Sequence, residues 1–120
     1  MNNNSVSRIA QIVFALTMLV FAFFHLSNAD AMAGGVPAFM PGGGTLWVYV
    51  SGVCLALAAL AFILNMKVKL AGYLLGLLLL IIALTVHLPH LLSGDEMEMG
   101  QILKDTGLAA AAFFIGSKGA

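Results

Sequence analysis

The sequence predicts an all-α fold, an integral membrane four-helix bundle made by one domain over residues 1–120. Three observations carry that reading. Hydrophobic residues make up 62% of the chain and charged ones 8%, more apolar surface than an aqueous domain of this length can cover. The apolar residues gather into four segments, three of them as long as a bilayer requires. Between the first two lies a loop so rich in Gly and Pro that no helix can run through it.

The elements follow in order. Met1 to Ser7 is a polar, Asn-rich start that is expected to be unstructured. The first span covers about residues 9–26, roughly 27 Å as a helix at about 1.5 Å per residue. A cleaved leader is the competing reading, since Arg8 precedes the apolar run and Ala29-Asp30-Ala31 offers small residues. Leader cores, however, run only about 7–15 residues, and three more apolar segments follow here.

The loop from Asn28 leads into the second span, about residues 45–64. Pro37 and Pro41 bias Val36 and Met40 toward extended backbone, while Val36, Phe39 and Met40 remain apolar. Irregular apolar backbone beside two spans has to lie on protein or at the interface. Trp47 and Tyr49 belong at that boundary as well. The loop is therefore expected to fold as an external lid over one end of the bundle. A basic turn, Asn65 to Lys69, leads to the third span, about residues 70–90.

The fourth span is placed at about residues 101–117. Its uncharged part, Thr106 to Ser117, falls short of the roughly 20 residues needed, so Gln101 to Asp105 join it and Lys104 and Asp105 come near one interface. Upstream, Ser93-Gly94-Asp95-Glu96 fits a capping box that opens a short surface helix, broken at Gly100. Gly72 and Gly76 form a Gly-x-x-x-Gly step for close helix approach. Its partner is either another helix of this chain, a second copy, or another membrane protein.

Charge sets the orientation. With four spans, Arg8, Lys67, Lys69 and Lys118 share one side, and the other side holds Lys104 with every acid of the chain. The positive-inside rule puts both termini in the cytoplasm and the lid outside. The formal net charge is zero and no basic patch exists, which excludes nucleic acid as a partner. The lone Cys54 excludes an internal disulfide or a Cys-x-x-Cys redox pair.

Chemistry is expected at the outer end. His25, Asn28, Asp30, His87, Lys104 and Asp105 fall at similar depth and form a candidate ligand-binding chamber under the lid. His90 is assigned to the surface. Pro89 withholds the donor that would meet the Thr85 carbonyl, so a kink is expected there. Asp105 has a short stem and is expected to turn inward to His25 or His87, whereas Lys104 runs outward to the headgroups. The histidines, acids and outer methionines have no tight ligand spacing, so a metal is not expected. No nucleophile elbow or phosphate loop is present, and the chain carries no autonomous catalytic motif.

The run Asn28-Ala-Asp-Ala-Met-Ala-Gly-Gly-Val-Pro, then Met40-Pro-Gly-Gly and Trp47-Val-Tyr-Val-Ser-Gly, resembles the DoxX-like family of small bacterial four-span membrane proteins. The likeness extends to the Lys67/Lys69 turn, to Thr85-Val-His87-Leu-Pro89 and to Lys104-Asp105, and so covers nearly the whole chain. It implies a multi-pass protein of the bacterial inner membrane, an accessory or quinone- or partner-binding subunit of a redox or oxidative-stress system. The alternative is a non-catalytic assembly protein, or one that binds lipid or another small molecule. The resemblance implies no catalytic residue set.

Overall fold

A computed structural model describes residues 2–120. The fold is all-helical, with no strand among the described residues. Helix α1 spans Asn3–Ser27, α2 Ala29–Met32, α3 Gly44–Leu64, α4 Val68–Ile82, α5 Leu88–Leu92 and α6 Glu98–Lys118. A 3-10 turn, Ala33–Gly35, follows α2, and a π-helical segment, Ala83–His87, joins α4 to α5. Three rods are long and apolar enough to cross a membrane: Asn3–Ser27, Gly44–Leu64 and the continuous rod Val68–Leu92.

Of the polar start expected to be unstructured, Asn3 to Ser7 instead form the first turns of α1, and Met1 lies outside the described residues. Asn2 caps the helix by accepting a bond from the Ser5 amide at 2.8 Å, which satisfies an amide that the first turn would otherwise leave unpaired. At the same end of the bundle, where α3 stops, Asn65 takes the left-handed conformation, φ 55°. The Met66 amide there reaches back to the Ala61 carbonyl at 2.9 Å, the closing geometry of a Schellman turn. Arg8 and Gln11 finish this end from α1. Arg8 Nη1 donates to the Phe62 carbonyl at 2.7 Å, Arg8 Nη2 to that of Ile63, and Gln11 Nε2 to Phe62 at 2.9 Å.

The rods associate in two close pairs, α1 with α3 and α4 with α6, and the pairs meet mainly through α3 and α4. Ala15, Met18, Ala59, Phe62 and Ala112 are fully buried between them. The Gly72 step has its partner within the chain. A Cβ at Gly72 would lie 2.6 Å from the Ala112 carbonyl oxygen and 2.7 Å from Gly116 Cα. The α4 and α6 backbones are thus in contact, as small residues permit.

Two local expectations are corrected. Ser93 opens no capping box; its hydroxyl donates to the His90 carbonyl at 2.8 Å and closes α5. Gly94 then turns with φ 110°, and Asp95 accepts from the Met97 amide at 3.2 Å, the local side-chain turn for which Asp competes. Consequently α6 starts at Glu98 and passes through Gly100 without a break. At Pro89 the rod widens instead of simply losing a bond. The Leu88 amide bonds to the Ala83 carbonyl, five residues back, which makes room for a ring that would clash in a tighter helix.

Candidate functional site

The chain runs up α1, down α3, up α4 and down α6, so the lid, the π segment and the start of α6 all meet at one end. A cavity of about 640 Å³ lies there between the two helix pairs. Its walls are mainly apolar: Phe21 and Phe24 from α1, Trp47 and Leu55 from α3, Leu79 and Ile82 from α4. The loop supplies Met32, Gly35, Val36, Pro37, Phe39 and Met40. Gly35 sits against the π segment, where a Cβ would come 3.1 Å from Val86 Cγ1. The expected lid is therefore a roof that crosses from the start of α3 to the third rod. Trp47 ties it down by donating its indole N–H to the Pro41 carbonyl at 2.7 Å.

The polar wall comes from the π segment and α6. His87 is the centre of it. Its Nδ1 is hydrogen-bonded to Glu98 Oε2 at 2.5 Å, and its Nε2 faces Asp105 Oδ2 at 3.2 Å. A carboxyl at each ring nitrogen calls for one hydrogen in each contact. The three groups are satisfied either as an imidazolium between carboxylates or as a neutral ring beside one protonated acid. Asp105 is 4% exposed and is the one charged residue buried in the described chain. Burial of that kind is tolerated where partners are supplied, here by His87 and by Lys104 Nζ at 3.5 Å.

Lys104 does not run outward. Its ammonium lies 4.7 Å from the Phe21 ring centroid and donates to Gln101 Oε1 at 2.7 Å. An aromatic face and two oxygens hold it across the cavity, where it faces α1. His25 also lines the cavity, brought close by Gly52, where a Cβ would meet His25 Cβ at 2.9 Å.

Of the six residues expected in the chamber, His25, His87, Lys104 and Asp105 are brought together. Asn28 and Asp30 are not. Asn28 bonds back to the Phe24 carbonyl at 3.1 Å at the end of α1, and Asp30 accepts from the Thr45 hydroxyl at 3.1 Å beside the start of α3. Asn28 is spent locally on the last turn of its own helix, and Asp30 on a side-chain contact that ties α2 to the start of α3. His90 lies off the cavity, bonded to the Val86 carbonyl at 2.6 Å.

Glu98 and Gln101 belong to the site and were missing from the expected set. The signal for them is periodic: Glu98 and Asp105 are seven apart, as are Gln101 and Leu108, so all four share one face of α6. Starting the helix at Gln101 hides that stripe. Among the described residues no group of three or more His, Cys, Asp or Glu is arranged to hold a metal ion. His87 stands between its two carboxylates, and the three do not converge on a common point.

A family model described as Domain of unknown function (DUF8561) matches residues 14–115. No curated protein and no solved structure matches the chain.

Proposed function

We propose that this chain, which belongs to the DUF8561 family, is a four-span membrane protein whose outer-end cavity binds a lipophilic molecule with a compact polar head. An isoprenoid quinone is the ligand class that the DoxX-like resemblance implies, and an accessory role in a membrane redox or oxidative-stress system follows from it. One observation carries the reading: a cavity of about 640 Å³ with apolar walls and a single polar wall. That division matches an amphipathic ligand, since a few placed polar groups fix orientation while apolar walls supply burial.

The membrane reading includes α6, although it is less apolar than the other rods. Its polar residues Glu98, Gln101 and Asp105 line the cavity, whereas Leu103 and Phe114, both strongly exposed, face outward. A span is allowed charged groups where they face a cavity and not lipid. Arg8, Lys67, Lys69 and Lys118 lie at the end opposite the cavity, which supports cytoplasmic termini. Reporter fusions after Lys67 and after Lys118 are expected to read cytoplasmic and one at Gly43 external. A cytoplasmic signal at Gly43 overturns the orientation.

The cavity reaches the outer face of the helices at Val50 and Ile81, which line it and are also exposed. A ligand dissolved in the bilayer thus has a lateral way in. The same opening favours the second reading, a non-catalytic lipid binder. Organic extraction of protein purified in mild detergent tests both. A stoichiometric quinone is expected in the extract. A phospholipid in its place favours the second reading, and an empty extract with no response of Trp47, the single tryptophan, to added short-chain quinone overturns the cavity reading.

A further inference from the structure

We infer that the cavity takes a ligand whose head is an aromatic hydroxyl, a phenol or hydroquinone, and holds it by accepting hydrogen bonds from it. This rests on the cavity reading above and specifies the chemistry of the ligand.

Most donors on the wall are already committed. His25 Nδ1 lies 2.7 Å from the Phe21 carbonyl, and since a carbonyl only accepts, that nitrogen carries the hydrogen. The Thr85 hydroxyl donates to the Ile81 carbonyl at 2.7 Å, and the Trp47 indole to Pro41 at 2.7 Å. Both ring nitrogens of His87 face carboxylates. Lys104 is shared among Gln101, Asp105 and the Phe21 ring. Withdrawing any of these donors for a ligand would forfeit a bond equivalent to the one gained.

Acceptors remain open. In the neutral ring with its hydrogen on Nδ1, His25 holds a bare lone pair on Nε2. Glu98 uses only Oε2 toward His87, which leaves Oε1. The Thr85 oxygen, as a donor, keeps its own lone pairs. Ser51, which also lines the cavity, can give or take. The Gln101 amide N–H2 is open as well, since only its oxygen is taken, by Lys104, so the open acceptors outnumber the open donors.

A phosphate or carboxylate head brings acceptors only and meets Glu98 and Asp105 as like charge. A ketone also brings acceptors only. A hydroxyl brings the hydrogen that most of the open positions call for. An ammonium head would donate too, but Lys104 already places a cation between Phe21 and Asp105. The ring is asked for by Phe21, Phe24 and Trp47, whose faces and edges pack against a flat aromatic body. In quinone chemistry the wall therefore favours the reduced form over the oxidised one.

A matched ligand pair tests this: a ring-brominated alkylphenol and its own methyl ether, equal in shape but differing in the one donor. Contact quenching of Trp47 by the bromine reports occupancy in detergent. The phenol is expected to bind about tenfold more tightly than the ether, the yield of one net hydrogen bond, and His25→Phe is expected to erase most of that difference. Equal affinities for the two overturn the inference and leave the cavity reading intact. Absence of quenching by either overturns both. Should His25→Phe fail to fold, as judged by its thermal transition, the ligand pair on the native protein decides alone.

Discussion

Replacing Gly72 by leucine is expected to destroy the α4–α6 pair, with a loss of more than about 3 kcal/mol and no sharp thermal transition in detergent. The reason is the identity of the neighbours. A Cβ at this position meets the Ala112 carbonyl and the Gly116 backbone within 2.8 Å, and backbone has no rotamer with which to move aside. Inserted carbon in a packed core costs about 1–3 kcal/mol even where side chains do the yielding. Gly107 is the control on the partner helix. A Cβ there meets nothing within 4 Å, so Gly107→Ala is expected to be neutral or to stabilise by up to about 1 kcal/mol through helix propensity. Thermal unfolding and gel filtration of both variants check the pair. Equal behaviour would mean that α4 and α6 do not touch where the geometry has them touching.

Asp105→Asn is expected to cost about 3 kcal/mol, because it removes one partner from a buried ionic contact and leaves the rest of the cluster unbalanced. The side chain is 5% exposed and His87, its partner at 3.2 Å, is 17% exposed, so solvent does little to make up the loss. Lys104→Gln should change stability by no more than about 1 kcal/mol. Its side chain is 37% exposed, and water screens such a contact. The measurement is the shift in unfolding midpoint at neutral pH in one detergent. A lysine variant as damaging as the aspartate one would show that the ammonium, and not the imidazole, holds Asp105 in place. His87→Gln combined with Asp105→Asn should fall well short of the sum of the two single losses, since both single changes break the same contact.

The long apolar runs made the rods legible in the sequence, because their signal is repeated over tens of residues. The Gly/Pro loop, too, could be read as a roof, since Val36, Phe39 and Met40 are apolar where a solvated linker would be polar. That Asp105 turns inward to a histidine was legible from depth and stem length, but the choice between His25 and His87 was not, and the structure gives it to His87. Asn28 and Asp30 were misread because depth does not tell a side chain that faces a cavity from one that closes its own helix, as Asn28 does, or ties two helices together, as Asp30 does. Glu98 was lost for another reason. Hydropathy marks where a helix turns apolar, not where it begins, and α6 opens on polar residues that face inward. Pro89 announced irregular backbone, but one proline is compatible with a kink or a widened turn. The choice depends on how the freed carbonyls find partners, which is a tertiary matter.

The contacts of Arg8 and Gln11 with the last turn of α3 also bear on the timing of synthesis. Both partners of that clasp, and the whole of α1 and α3, exist before any residue of α4 or α6 has been made. At about 5–20 residues per second the remaining stretch takes roughly 3–10 s to emerge. Within that interval the half that carries Trp47 and the roof has all the residues it needs to close, the guanidinium at its far end included. The acidic helix arrives last, onto a partner already formed, so its carboxylates need never wait in an apolar setting without a histidine to meet them.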